Sequence, residues 1–315
     1  MRNSPIGVFD SGLGGLTVAR EVARTLPDES ILYFGDTLRC PYGPRDQDEV
    51  RTFALEIASF LARNDVKLIV IACNTATAAA LAAAQQEFDV PVIGVVDPGA
   101  RAAVHATRNR RVGVIGTVGT IESEVYSRAV RSLDAGVTVF STATPRFVEI
   151  VEDGLRLDSG PLEDVMAEAS DVFLRPALQE IARDYLDPLK RCGIDTLVLG
   201  CTHYPILIPL IHTVMGDDIQ LISSAEETAI EVAETLERRG HRAPVGTPVE
   251  HRFFTTADAG RFQTLGGQVF GSPLGTVTEV SLDDLAAAYA QRSPRASAPA
   301  CDMNAPDETP REEPL

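Results

Sequence analysis

Two thiols stand out by their position in the chain. The run "KLIVIACNTAT" ends in Cys73, Asn74 and Thr75, and the run "LVLGCTHYPIL" ends in Cys201, Thr202 and His203. In each case a stretch of branched apolar residues stops at a small residue, a cysteine follows, and hydroxyl or amide side chains come next. A free thiol titrates at about 8.5, so modest tuning makes it an acid or a base at neutral pH. One buried cysteine is ordinarily a small hydrophobe. Two at the same structural point, each followed by a helix start whose free N–H groups stabilise a thiolate, point to chemistry. The chemistry such a pair suits is removal of a proton from one face of a carbon and its return to the other. A single base tends to return the proton to the side it came from. His203 reads either as a satisfied structural histidine or as a proton partner of Cys201. Asp10, closing the run "IGVFD", reads either as a helix N-cap or as a carboxylate that assists a thiol.

Other chemistries fit less well. The cysteines are Cys40, Cys73, Cys192, Cys201 and Cys301; the number is odd, the spacing is wide and no CxxC occurs, so neither a disulfide framework nor a metal site is expected. Cys40 reads as structural, and Cys301 falls in a polar tail. A pyridoxal phosphate enzyme needs a Schiff-base lysine. The chain has only Lys67, at a strand start, and Lys190, at a helix end, so no cofactor is expected. The stretch "DSGLGGLT" begins like a phosphate loop at Gly12 and Gly14, but Thr17 stands where a third glycine belongs and no Walker lysine follows. Its glycines read as allowing close backbone approach to a small ligand. The net charge of −17 excludes a nucleic-acid surface, which needs clustered Lys and Arg. It also means that an anionic substrate must be held by oriented dipoles and helix N-termini. No apolar run reaches the roughly 18–20 residues of a membrane span. The N-terminus enters the strand-like run "IGVFD" almost at once, so a secretory signal is not expected and the cytoplasm is the expected location.

The elements that must position these residues alternate. Short Val/Ile/Leu runs read as buried parallel strands: "IGVFD", "ILYFG", "KLIVIAC", "VPVIGVV", "RVGVIG", "VTVFS", "TLVLGC" and "IQLIS". Amphipathic or Ala-rich stretches between them read as helices, among them "DEVRTFALEIASFLARN", "TATAAALAAAQQEF" and "EETAIEVAETLERRG", the last closing on Gly240. This alternation predicts an α/β fold with sites beyond the carboxyl ends of the strands. The pattern also repeats weakly. "IGVFDSGLGG" followed by "LIVIACNTAT" resembles "VGVIGTVGT" followed by "LVLGCTHYP", which would set the two cysteines face to face between two halves. The segment 292–315 is rich in proline and poor in large apolar residues, and is expected to be disordered.

The motifs "FDSGLGG", "GDTLRCPYG", "IACNTAT", "IGTVGT" and "GCTHYP", in this order, resemble the bacterial glutamate racemases of the aspartate/glutamate racemase superfamily. The resemblance runs from about residue 6 to 265. It implies two similar doubly wound α/β domains, with parallel sheets, facing each other across an active-site cleft. The expected first domain is residues 1–97 with 206–280, carrying Asp10 and Cys73. The expected second is 98–205, carrying Thr117, Glu152, Cys201 and His203. It implies cofactor-independent interconversion of L- and D-glutamate by Cys73 and Cys201, supplying D-glutamate for peptidoglycan. Asp10 would assist near Cys73, His203 near Cys201, and Glu152 would support the histidine. Substrate contacts would come from Asp10, Ser11, Tyr42, Gly43, Asn74, Thr75, Thr202 and His203, with Thr117 and Thr120 beside them. Arg39 stands out in its loop and reads as tying that loop down. A homodimer is the expected assembly, without membrane or nucleic-acid partners. Members controlled by a cell-wall precursor carry an N-terminal extension; five residues precede the first strand here, so that control is not expected. An aspartate racemase of the same superfamily is the alternative enzyme. A gyrase-inhibiting regulatory protein is the alternative of another class.

Overall fold

The computed structural model describes residues 2–157 and 175–291, and in the first span side chains up to residue 151. The expected tail 292–315, with Cys301, lies outside the described residues.

The continuous apolar runs form strands covered on both faces, as parallel strands must be. Strands β1 (Ile6–Asp10), β2 (Ile31–Gly35), β3 (Leu68–Ile71) and β4 (Val92–Gly94) are buried at every residue. They pair in parallel in the order β2-β1-β3-β4, with Val8 opposite Tyr33 on one side and Val70 on the other. A second parallel sheet holds β5 (Arg111–Gly116), β6 (Thr138–Ala143), β7 (Thr196–Gly200) and β8 (Gln220–Ser223) in the order β6-β5-β7-β8. The two orders are the same when β1 is matched to β5 and β3 to β7, so the weak repeat in the sequence is a repeat of topology. Cys73 follows β3 and Cys201 follows β7, at equivalent points.

The first sheet is extended beyond β2 by β9 (Arg252–Thr255) and β10 (Val277–Glu279), neither expected from the sequence. Both are short; β9 is buried only at alternate residues and β10 at none, so neither carries a continuous apolar run. One domain boundary also shifts. β8 lies in the segment 206–280 assigned to the first domain, yet it pairs with β7, from Thr196↔Gln220 to Leu199↔Ser223. The return to the first lobe therefore comes after β8. The physical reason is the repeat itself: β8 completes the second sheet as β4 completes the first.

Helices α1 (Leu16–Thr25), α2 (Gln47–Arg63), α3 (Asn74–Glu87) and α4 (Val96–Ala106) connect the first strands. Asp46 caps α2 by accepting from the N–H groups of Asp48 and Glu49. In the second half, α5 (Val118–Glu122), α6 (Val125–Leu133), α7 (Pro145–Leu157) and α8 (Pro176–Arg191) precede β7. After β7 come a 3₁₀ turn (Tyr204–Leu207), α9 (Ile208–Met215) and α10 (Ser224–Arg238). Helix α10 ends at Gly240 as expected. The residue has φ +64°, and its N–H and that of His241 return to the carbonyls of Glu237 and Leu236, a Schellman closure. Helix α10 packs against both α1 and α4, so one apolar core runs from the first lobe into the second.

Candidate active site

The carboxyl ends of β1, β3, β5 and β7 converge where the two sheets face each other. Cys73 is the N-cap of α3, its sulfur accepting from the Ala76 N–H at 3.5 Å, and its thiol lies 4.0 Å from Ser11 Oγ. Cys201 has a different partner, His203 Nδ1 at 3.6 Å. It precedes a 3₁₀ turn with Pro205 in its first turn rather than an α-helix start, so the imidazole stands where the helix N–H groups stand for Cys73. Tyr204 fixes this turn: its hydroxyl donates to Thr144 O at 3.1 Å, and its ring packs edge-on against Phe147 of α7. Both cysteines are buried and line one cavity with Ser11, Asn74, Thr75, Thr117, Thr202 and His203. The enclosed space is about 20 Å³ as swept by the centre of a water-sized sphere, room for about one water.

Asp10 lies behind this wall, fully buried. Its Oδ2 accepts from the N–H groups of Gly12 at 3.1 Å and Gly15 at 3.0 Å, and its Oδ1 from Thr202 Oγ1 of the other lobe at 3.4 Å. The phosphate-like loop thus folds around the protein's own carboxylate. Burial pushes the Asp10 carboxyl above its ordinary value, against the opposing pull of His203 and the backbone N–H bonds. Two of the glycines are needed for close packing, Gly14 against the other lobe and Gly15 against Asp10 of its own. A Cβ on Gly14 would fall 2.5 Å from Thr202 Oγ1 and 2.8 Å from the His203 ring, and one on Gly15 would fall 2.4 Å from Asp10 Cβ. Tyr33, donating to Gly12 O at 2.8 Å, holds the loop from below. The Cys73 thiol is pushed up to about 12, first by burial and then by the Asp10 charge.

Hydrogen bonds bridge the lobes around the cavity. Thr75 Oγ1 lies 2.9 Å from Thr117 Oγ1 and 3.3 Å from Thr120 Oγ1. Tyr126 of α6 donates to Asn74 Oδ1 at 2.7 Å. The Gly119 N–H of α5 donates to Gly43 O at 2.9 Å. The loop bearing Tyr42 and Gly43 is pinned from within. Asp36 accepts from Arg39 Nε at 2.6 Å, from the Tyr42 hydroxyl, and from Thr256 Oγ1 at 2.9 Å, while Arg39 Nη1 reaches Glu56 at 2.5 Å.

The model of the Asp/Glu/Hydantoin racemase family matches residues 6–232, which include both cysteines. This chain belongs to that family. It is an isomerase of the racemase class, and the resemblance to glutamate racemases covers most of the chain. Glutamate racemase of Listeria monocytogenes (serotype 4a, strain HCC23) is 46% identical over 277 residues, 88% of this chain and 98% of that protein. The crystal structure of a glutamate racemase isoform from Bacillus anthracis is similar with a TM-score of 0.79 at 44% identity, covering 90% of this chain and 99% of that one. That of Francisella tularensis glutamate racemase in complex with D-glutamate has a TM-score of 0.79 at 32% identity, with the same coverages.

Around this cavity the expected residues sort as follows. Ser11, Tyr42, Gly43, Cys73, Asn74, Thr75, Thr117, Cys201, Thr202 and His203 line the cavity; Asp10 and Thr120 sit behind it. Tyr42 contributes wall rather than hydroxyl, because its hydroxyl is engaged by Asp36. Glu152 falls on α7, and its side chain lies outside the described residues. Lys67 is buried in an ion pair with Glu29, and Lys190 donates to Val214 O at 3.0 Å. The residues missed are Pro41 and Val148, which line both this cavity and an adjoining one of about 470 Å³ that also takes in Cys40. Val148 gives no signal in the sequence, since an aliphatic residue on an amphipathic helix reads as core.

Proposed function

We propose that this racemase interconverts L- and D-glutamate by two-base proton transfer between Cys73 and Cys201. The observation that carries the reading is that the two thiols end equivalent strands of two repeated lobes and line one cavity. One thiolate takes the α-proton, and the C–H electron pair moves into the α-carboxylate as an enediolate. The opposite thiol then gives its proton to the other face of the carbon. The first cysteine ends as thiol and the second as thiolate, so protons balance. His203, 3.6 Å from Cys201, exchanges a proton with that thiol, while Asp10, through its charge, tunes Cys73. Ser11, Asn74, Thr75 and Thr202 supply neutral donors to the carboxylates, which suits a chain of net charge −17. The enclosed space of about 20 Å³ is smaller than an amino acid, so the lobes part to admit substrate and close on it. Glutamate rather than aspartate is supported by the relative 46% identical over most of both chains, and by the one solved with D-glutamate. The product D-glutamate is then a building unit for peptidoglycan, made in the cytoplasm.

The test is circular dichroism of each glutamate enantiomer with enzyme and EDTA and no added cofactor, repeated with Cys73→Ser and Cys201→Ser. The wild type erases the signal and exchanges the α-hydrogen in D₂O, and each variant loses racemisation. A variant that still racemises at the wild-type rate refutes the two-thiol mechanism.

A further inference from the structure

We propose that Tyr126 is a positioning residue that holds the Asn74 amide with its nitrogen turned toward bound substrate, and does so only when the two lobes are closed. The inference rests on the glutamate reading above. Asn74 is buried, opens α3 directly after Cys73, and lines the cavity. A side-chain amide presents either its oxygen or its nitrogen to a ligand, and the two orientations have nearly the same shape. For an anionic substrate they are opposites: Nδ2 donates to a carboxylate, and Oδ1 repels it.

Tyr126 breaks the tie. Its hydroxyl donates to Asn74 Oδ1 at 2.7 Å, which leaves Nδ2 as the amide atom not engaged by Tyr126. That Nδ2 is buried and has no hydrogen-bond partner among the described residues. A buried unsatisfied donor costs about 1–3 kcal/mol, which is recovered when an acceptor arrives. Oδ1 can only accept, so the phenol gives its proton to this bond. The Ser224 side chain at the start of α10 is the phenol's second polar neighbour, and burial keeps the phenol protonated. With Ser224 as donor, the phenol proton is left for Asn74.

The bond also crosses the cleft. Asn74 belongs to the first lobe and Tyr126, on α6, to the second, where it packs near Gly99 of α4. When the lobes part to admit substrate, the amide loses its anchor and its orientation. Closure restores both, so the substrate-grade donor exists only in the closed site.

The experiment measures steady-state racemisation of both glutamate enantiomers for wild type, Tyr126→Phe, Asn74→Ala and the double variant. Loss of a donor to a charged group is on the order of tenfold in affinity. Tyr126→Phe therefore raises KM by about tenfold with kcat within about threefold, the pattern of a lost uniform binding interaction. In the Asn74→Ala background the same change has no further effect. Ser224→Ala, which frees the phenol proton to rotate, gives a smaller rise in KM that also vanishes without Asn74; it carries the test if Tyr126→Phe does not fold. An unchanged KM in Tyr126→Phe, or an equal rise in the Asn74→Ala background, overturns the proposal while an active wild type leaves the glutamate reading standing. A wild type inert toward glutamate overturns both.

Discussion

Cys73 sits where its thiolate is withheld, and replacing Asp10 with Asn measures how much of that is charge. The thiol is pushed from an ordinary 9.0 to about 12, first by burial, second by the Asp10 carboxylate, with the Ala76 N–H and the Ser11 hydroxyl pulling the other way. That interval corresponds to about 4 kcal/mol against the thiolate. Asn at position 10 removes the charge and keeps an oxygen for the Gly12 and Gly15 N–H groups. Cys73 then titrates below about 12 but still above an ordinary thiol, because burial, the larger cause, remains. The assay is ultraviolet thiolate absorbance against pH in a Cys201→Ser background, with a Cys73→Ser/Cys201→Ser protein subtracted to remove Cys40, Cys192 and Cys301. Stability follows with a definite sign. The folded state holds the Cys73 proton more tightly than the unfolded state does. Its contribution is full below about 9 and is lost as pH rises from there toward about 12. Urea unfolding of the Cys201→Ser protein therefore weakens across that window more steeply than that of the double serine variant. A thiol at position 73 that titrates at or below the ordinary value with Asp10 present, or one that moves up on Asp10→Asn, refutes the reasoning.

Two further perturbations test the frame around the thiols. Gly14→Ala puts a methyl 2.5 Å from Thr202 Oγ1 and 2.8 Å from the His203 ring, across the lobe boundary. Overpacking of that kind costs about 1–3 kcal/mol, and it falls on the closed state, so kcat/KM for glutamate drops roughly 5- to 150-fold; activity within twofold of wild type would count against closure through Gly14. Arg39→Ala removes the ion pairs to the buried carboxylate of Asp36 and the half-buried one of Glu56 and costs about 3 kcal/mol, mostly from the uncompensated charge of Asp36. Calorimetry then shows a lower Tm, and an unchanged Tm would mean that the network does not hold the loop.

Much of this was legible because parallel strands, buried on both faces, must be written as continuous apolar runs. All the runs from "IGVFD" to "IQLIS" are strands, and the cysteines are conspicuous because a polar position after such a run falls at the sheet's carboxyl edge. What was not legible depends on partners far off in the chain. The 220–223 strand reads as a strand, but which sheet it joins is decided by pairing with Thr196–Leu199. Strands β9 and β10 are short and half-polar, and acquire their identity from the edge of β2. Tyr33 and Tyr126 act through one hydroxyl each, aimed at Gly12 and Asn74, and along the chain either looks like any core aromatic. The "DSGLGG" glycines announced a close approach, and at Gly14 and Gly15 the protein atoms that come close belong to Thr202, His203, Asp10 and Tyr33.

The repeated topology makes the unequal thiols the more informative feature. Both cysteines end the third strand of a lobe, yet one is supported by a helix N–H and a serine hydroxyl, the other by an imidazole. A symmetric pair of supports would be the wrong design for the proposed reaction. The substrate's carboxylates stay bound while only the α-hydrogen changes face, so the two faces of the carbon look out on different surroundings. Burial first, and the Asp10 charge second, hold Cys73 as a thiol, whereas the Cys201 sulfur stands 3.6 Å from an imidazole nitrogen of His203. The repeat thus supplies the placement of two thiols, and the departures from the repeat supply their different chemistry.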